Sequence, residues 1–151
     1  MPRICAPNSR PRSFVANVLV DTGPLVAWFD KGDGDHARAA AFFSGFKGKL
    51  ATTWSVLTEV CHLLPPHVVG RFMRWVAAGG VEILEMPPLA AHDIAAMMEK
   101  YADLPMDLAD ASLLWSAARM GTTEVITLDA ADFGIYRLPG GKRLRNLIKT
   151  R

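Results

Sequence analysis

Residues Phe14–Asp21, FVANVLVD, make an apolar, β-branched run with no polar alternation, the pattern of a strand covered on both faces. That predicts a central strand of a parallel sheet. After Thr22-Gly23-Pro24, Leu25–Phe29 reads as helical, Gly32–Asp35 as a loop, and Asp35 as the cap of a helix over His36–Phe43. Lys49–Thr52 is a short strand. Thr53 or Ser55 then opens a helix that runs through His62–Leu64, with Val56, Val60 and Leu63 as its apolar stripe. Pro65-Pro66 stops it, and Pro66 suits the first turn of the next helix, which runs through Ala78 to Gly79-Gly80. Val81–Leu84 reads as a strand and Pro87-Pro88 as a break. Leu89–Tyr101 places Ala90, Ile94, Met97, Met98 and Tyr101 at helical spacing. Asp107–Met120 is the clearest helix, with Ala111, Leu114, Trp115 and Ala118 as its stripe and Gly121 as its stop. Glu124–Leu128 is a further short strand. This alternation, with connections of about a dozen residues or more, predicts an α/β fold in which helices wrap a parallel sheet.

Composition narrows the class. A chain of 151 residues that is 50% hydrophobic and 21% charged suits one domain with a buried core and excludes a disordered chain. Cys5 and Cys61 form no CxxC pair, and the four histidines lack zinc-ligand spacing, which excludes a disulfide scaffold and points to a reducing cytoplasm. No apolar run approaches the roughly 18 residues of a membrane span. Residues 1–14 carry three arginines ahead of Val15–Val20, but no small-residue cleavage site follows. They read as an N-terminal extension, flexible or the result of a misplaced start, ahead of a single domain over residues 15–151. The net charge of +2 is uneven, because Arg3, Arg10 and Arg12 lie at one end and Lys142, Arg143, Arg145, Lys149 and Arg151 at the other. The acidic body between them predicts either a polyanion met through the ends or simply solvated tails.

The acids carry the candidate chemistry. In open α/β sheets the ligand crevice lies at the carboxyl ends of the strands. Asp21 ends VLVD and Asp129 ends VITLD, so both fall there; either alone would pass for a turn or helix cap. Glu59 borders the stripe of its helix and either turns toward the core in search of a cation or reaches solvent. Asp107 and Asp110 share one face at the start of their helix: Asp107 suits the N-cap, and Asp110 stands at the third helical position, projecting toward the strand ends. Asp132, three residues after Asp129, either supports that site or forms a turn. Asp30, Asp33 and Asp35 lack the length and terminal Glu of a calcium loop and read as loop residues. Without a cation, Asp21, Glu59, Asp110 and Asp129 would repel one another. Oxygen-only donors favour Mg²⁺ or Mn²⁺, which beside a phosphate substrate points to phosphodiester hydrolysis.

The segments VLVDTGPLVAWFD, TTWSVLTEVCHLL, MDLADASLLWSAARMG and EVITLDAADFGIYR together resemble the PIN domain (PilT N-terminus) family, and most of all its VapC-type toxin ribonucleases. The likeness spans about residues 15–147. It implies a three-layer sandwich with a central parallel sheet of about five strands. It matches Asp21, Glu59, Asp110 and Asp129 to the four catalytic, metal-holding acids, and Thr22 and Thr127 to neighbouring hydroxyl residues, with Asp107 and Asp132 in support. It further implies Mg²⁺- or Mn²⁺-dependent endonuclease action on single-stranded RNA (tRNA, rRNA or mRNA) that leaves a 5′-phosphate and a 3′-hydroxyl. A cognate antitoxin, as in type II toxin–antitoxin pairs, and a homodimer are implied as well. The basic extension, the Gly32–Asp35 loop and the basic tail depart from the pattern; Arg143, Arg145 and Lys149 are the tail's candidate RNA contacts. Two other uses of such a domain are an inert RNA-binding module and a nuclease of RNA maturation or decay. A phosphoacceptor receiver is disfavoured, since Asp21 stands alone after its strand and no lysine falls within Glu124–Asp129. Neither GxGxxG nor a P-loop occurs, which disfavours nucleotide cofactors.

Overall fold

The computed structural model describes residues 17–104 and 106–149. The predicted N-terminal extension, Cys5, the first three residues of the predicted opening strand and Arg151 lie outside them. Among the described residues five strands form one parallel sheet: β1 (Asn17–Val20), β2 (Lys49–Thr53), β3 (Glu82–Leu84), β4 (Glu124–Ile126) and β5 (Arg145–Asn146), in the order β3-β2-β1-β4-β5. Val18 stands opposite Leu50 and Leu19 opposite Val125, so β1 is paired on both sides. All four β1 residues are buried, as an apolar run without alternation requires.

Seven helices connect the described strands: α1 (Thr22–Phe29), α2 (His36–Gly45), α3 (Trp54–Leu63), α4 (Pro66–Ala77), α5 (Ala90–Lys100), α6 (Leu108–Met120) and α7 (Ala130–Ile135). α1 packs on α2 and α3, and α6 packs on α3, α5 and β2. Helix ends follow local chemistry. α1 begins at Thr22, three residues earlier than predicted, because Asp21 accepts the Thr22 N–H at 2.7 Å. Of the two candidate caps for α3 it is Thr53 that serves, its hydroxyl accepting the Val56 N–H at 3.3 Å. Gly121 ends α6 in the left-handed region at φ 67°, where a side chain would be strained. Asp35 stands at the N-cap of α2 as expected, its carbonyl accepting the Ala39 N–H at 2.9 Å, but without a side-chain cap bond; its carboxylate lies 3.4 Å from Arg38, and its own N–H bonds to the Asp33 side chain.

Two stripes differ from prediction. Residues 111–117 of α6 are all buried while Ala118 is exposed, because the helix is covered all round in its middle turns rather than along one face. Leu63 closes the predicted α3 stripe yet is 55% exposed, since it stands at the mouth of the cleft described below. In α5, Ala90, Ile94 and Tyr101 are buried, with Met97 and Met98 packed against the core, as their spacing predicts.

The basic tail is part of the fold. Arg145 N–H bonds to Thr123 O at 2.6 Å and Leu147 N–H to Val125 O at 2.9 Å, which sets β5 on the edge of β4. Ahead of it, Arg137 bridges Arg143 across a turn in which Gly140 and Gly141 have φ of 83° and 76°. Ile148 is buried and Leu144 and Leu147 pack on the core, so the reading of this segment as a solvated tail is corrected: apolar residues interleaved with the basic ones hold it down. Arg143, Arg145 and Lys149 keep exposed side chains, and Arg145 pairs with Glu124. Among the described residues no helix is long and apolar enough to cross a membrane.

Candidate active site

The chain leaves β1 toward β2 on one side and reaches β4 on the other, so the strand order reverses between β1 and β4. Crevices of open α/β sheets lie at such a switch point, beyond the carboxyl ends of the strands. Here that place is an open cleft of about 550 Å³ lined by Asp21, Thr22, Gly23, Val26, Asp33, Asp35, Glu59, Leu63, Asp107, Asp110, Leu128, Asp129 and Asp132. Every acid singled out in the sequence is in it, joined by Asp33 and Asp35, which had been read as plain loop residues. Among the described residues no Lys, Arg or His lines it.

All but Glu59 of the four acids stand at an element end. Asp21 follows β1 and caps α1; one oxygen accepts the Thr22 N–H at 2.7 Å, and the other accepts the Thr127 hydroxyl at 2.9 Å. Glu59 is half-buried on α3, rather than purely solvated, and its Oε2 accepts the Thr22 hydroxyl at 2.6 Å. Asp107 is the N-cap of α6, accepting the Asp110 N–H at 2.8 Å, as its spacing predicts. Asp110 accepts the Tyr136 hydroxyl at 3.1 Å. Asp129 follows β4 and caps α7 through the Asp132 N–H at 3.1 Å, while its own N–H bonds to the Thr127 hydroxyl at 2.9 Å.

Burial and mutual repulsion act on these carboxyls. Asp21 is pushed up to about 6, chiefly by burial; hydrogen bonds from Thr22 and Thr127 oppose that, and the charges of Glu59 and Asp107 add to it. Asp110 is pushed up to about 7 by burial, then by Asp107 and Asp21, against the bond from Tyr136. Asp132 is raised by its surroundings and by Asp129. The Tyr136 hydroxyl is fully buried beside Asp110 and raised well above its usual range, so it remains a donor.

Two residues of the site had no role in the sequence reading. Tyr136 sits inside a quoted motif as an ordinary aromatic. Asn146 lies in the basic tail, and its side-chain amide bonds to both backbone groups of Thr127, at 3.1 and 2.9 Å. Neither carries a spacing signal, because each contact joins different elements, Tyr136 to Asp110 across 26 residues and Asn146 to Thr127 across 19. Residues 18–138 match the PIN domain family, which is 121 of the chain's 151 residues.

The chain belongs to the PIN domain family. Ribonuclease VapC26 of Mycobacterium tuberculosis is 28% identical over 130 residues, covering 83% of this chain and 96% of that protein. The crystal structure of M. tuberculosis VapC20, described as a sarcin-ricin loop cleaving toxin, superposes with a TM-score of 0.66 at 18% identity, over 76% of this chain and 92% of that one. A toxin–antitoxin complex from Klebsiella pneumoniae contains a chain that superposes with a TM-score of 0.60 at 21% identity, over 87% of this chain and all of that one. The predicted five-stranded parallel sheet flanked by helices is thus the PIN-like fold shared with these structures.

As a donor set, the PIN cleft offers only oxygen, which suits a hard divalent cation such as Mg²⁺ or Mn²⁺. The carboxyls of Asp21 and Asp110 are raised by burial and by the neighbouring acids, and a bound cation would oppose both effects. Among the described residues no three acids already converge as a ligand cluster. The cleft is an open carboxylate basin.

Proposed function

We propose that this PIN domain, residues 15–151, is a divalent-cation-dependent endoribonuclease that hydrolyses phosphodiester bonds of single-stranded RNA, and is the toxin of a toxin–antitoxin pair. The observation that carries the reading is that Asp21, Glu59, Asp110 and Asp129 line one cleft at the switch point of the sheet, with no basic residue among its described lining. An uncompensated acidic basin repels a polyanion, so RNA needs a cation to approach it. The near-full-length likeness to a ribonuclease, and the toxin descriptions of the structural neighbours, support the choice of substrate and partner.

Asp21, Glu59, Asp110 and Asp129 would hold Mg²⁺ or Mn²⁺. Bound there, the ion offsets phosphate charge and makes water a better nucleophile near neutral pH. Thr22 holds Glu59 and Thr127 holds Asp21, so two hydroxyls fix two acids in orientation. Tyr136 fixes Asp110 through its hydroxyl, with a proton it does not lose near neutral pH. Asp107 orders the start of α6 and adds negative potential. A homodimer and a cytoplasmic location accompany the reading.

The test is cleavage of labelled single-stranded RNA. Activity in Mg²⁺ or Mn²⁺, lost in EDTA and lost in folded Asp21→Asn, supports the reading. Full activity of Asp21→Asn, or undiminished activity in excess EDTA, removes it.

A further inference from the structure

Thr127 stands one residue beyond the end of β4, fully buried. Its hydroxyl donates to Asp21 Oδ2 at 2.9 Å and accepts the Asp129 N–H at 2.9 Å. One oxygen therefore joins the acid after β1 to the acid after β4. What holds Thr127 comes from 19 residues further along the chain: Asn146 of β5 accepts the Thr127 N–H at 3.1 Å on Oδ1 and donates from Nδ2 to Thr127 O at 2.9 Å. The side-chain amide serves as one more rung of the sheet, placed where the two strands give way to the cleft.

We propose that Asn146 is a positioning residue of the acid cleft, setting Thr127 and through it Asp21 and Asp129 for cation binding. The inference rests on the metal-dependent reading above. The requirement for Asn follows from its chemistry. A donor and an acceptor are both needed at this reach. Aspartate would turn a second acceptor on Thr127 O, Gln would overshoot by a methylene, and Ala would leave both backbone groups without these bonds. The strand itself does not depend on this side chain, because Arg145 and Leu147 make the main-chain bonds to β4 and Ile148 is buried in the core. The positioning role is therefore separable from folding.

The experiment is calorimetric titration of the full chain with Mn²⁺ alone, at a temperature where circular dichroism shows each variant folded. Wild type, Asn146→Ala, Asn146→Asp, Thr127→Val, Asp21→Asn and Val76→Ala are compared. Val76 is a buried α4 residue that does not line the cleft, and it reports on lost packing alone. Partners that orient ligands typically change metal affinity by roughly ten- to a hundredfold. Asn146→Ala and Asn146→Asp should lose that much, Val76→Ala should bind as wild type, and adding Asn146→Ala to Thr127→Val should cost nothing further. If Asn146→Ala does not fold, the near-isosteric Asn146→Asp carries the same comparison. Wild-type Mn²⁺ affinity in the folded Asn146 variants, with Asp21→Asn weakened, overturns the role of Asn146 and leaves the metal site standing. Fully additive losses in the double variant overturn the route through Thr127. Absence of Mn²⁺ binding by wild type, or unchanged binding by Asp21→Asn, overturns the metal reading and this inference with it.

Discussion

Asp110→Asn should make the metal-free protein more stable, by an amount that depends on pH. The Asp110 carboxyl is raised from 3.8 to about 7, chiefly by burial and then by Asp107 and Asp21. At full value a shift of that size would be worth about 4 kcal/mol. The group is only half-buried, so solvent screening reduces this to about 1–2 kcal/mol. Asparagine resembles the protonated acid, keeps an oxygen for the Tyr136 hydroxyl and leaves the Asp107 cap on its N–H in place. For an acid raised in the folded state, the contribution to stability is fully present below the unfolded value and is lost as pH rises from 3.8 toward 7. Above that the penalty is constant. The variant's advantage should therefore reach its full size at pH 8, as a rise in Tm of about 2–6 °C, and shrink to about a third at pH 5. Thermal unfolding of both proteins in EDTA at the two pH values measures it. A variant less stable than wild type at pH 8, or an advantage of equal size at both pH values, would refute the electrostatic account of the cleft.

Three further outcomes follow from the same geometry. Asp107→Asn should change stability by only a few tenths of a kcal/mol and keep most nuclease activity, because Asn caps a helix about as well as Asp; loss of activity equal to that of Asp110→Asn would make Asp107 a ligand. Tyr136→Phe should lower stability by about 1 kcal/mol, read as a Tm fall of about 2–4 °C, because it removes a buried donor to Asp110. Replacing Arg143, Arg145 and Lys149 together with Gln should weaken RNA binding and flatten its dependence on salt without moving the cleavage position; an unchanged salt slope would leave these exposed side chains to an acidic protein partner.

Much of the architecture was legible because the strongest signals are local. FVANVLVD shows no polar alternation and so reads as covered on both faces, and its described part, Asn17–Val20, is the strand with neighbours on both sides. Pro66 and Gly121 mark helix ends through backbone constraints that need no tertiary partner. α7 and β5 escaped for the opposite reason. α7 has six residues, one of them Gly134, and its visible cue is Asp132 following Asp129 at capping distance. β5 is two residues, Arg145 and Asn146, with no apolar alternation; its existence depends on main-chain bonds to Thr123 and Val125. The resemblance to PIN domains supplied a fifth strand where the hydrophobic pattern showed four.

The four acids could be found because parallel topology makes a strand end a predictable place, so Asp21 and Asp129 were exposed by what precedes them. Their support could not be found that way. A threonine hydroxyl between two acids, or a tyrosine hydroxyl on a third, is defined by contact between segments 26 to 106 residues apart. Asn146 is the sharpest case, because its charged neighbours invited a reading of the whole tail as an electrostatic arm. The structure divides that tail by direction: Arg143, Arg145 and Lys149 expose their side chains, while Asn146 turns its amide to Thr127 and Ile148 enters the core. The same short segment therefore presents positive charge outward and braces the acidic cleft inward. Loss of charge from it and loss of Asn146 should accordingly have different consequences, the first felt in salt-dependent RNA affinity and the second in cation affinity.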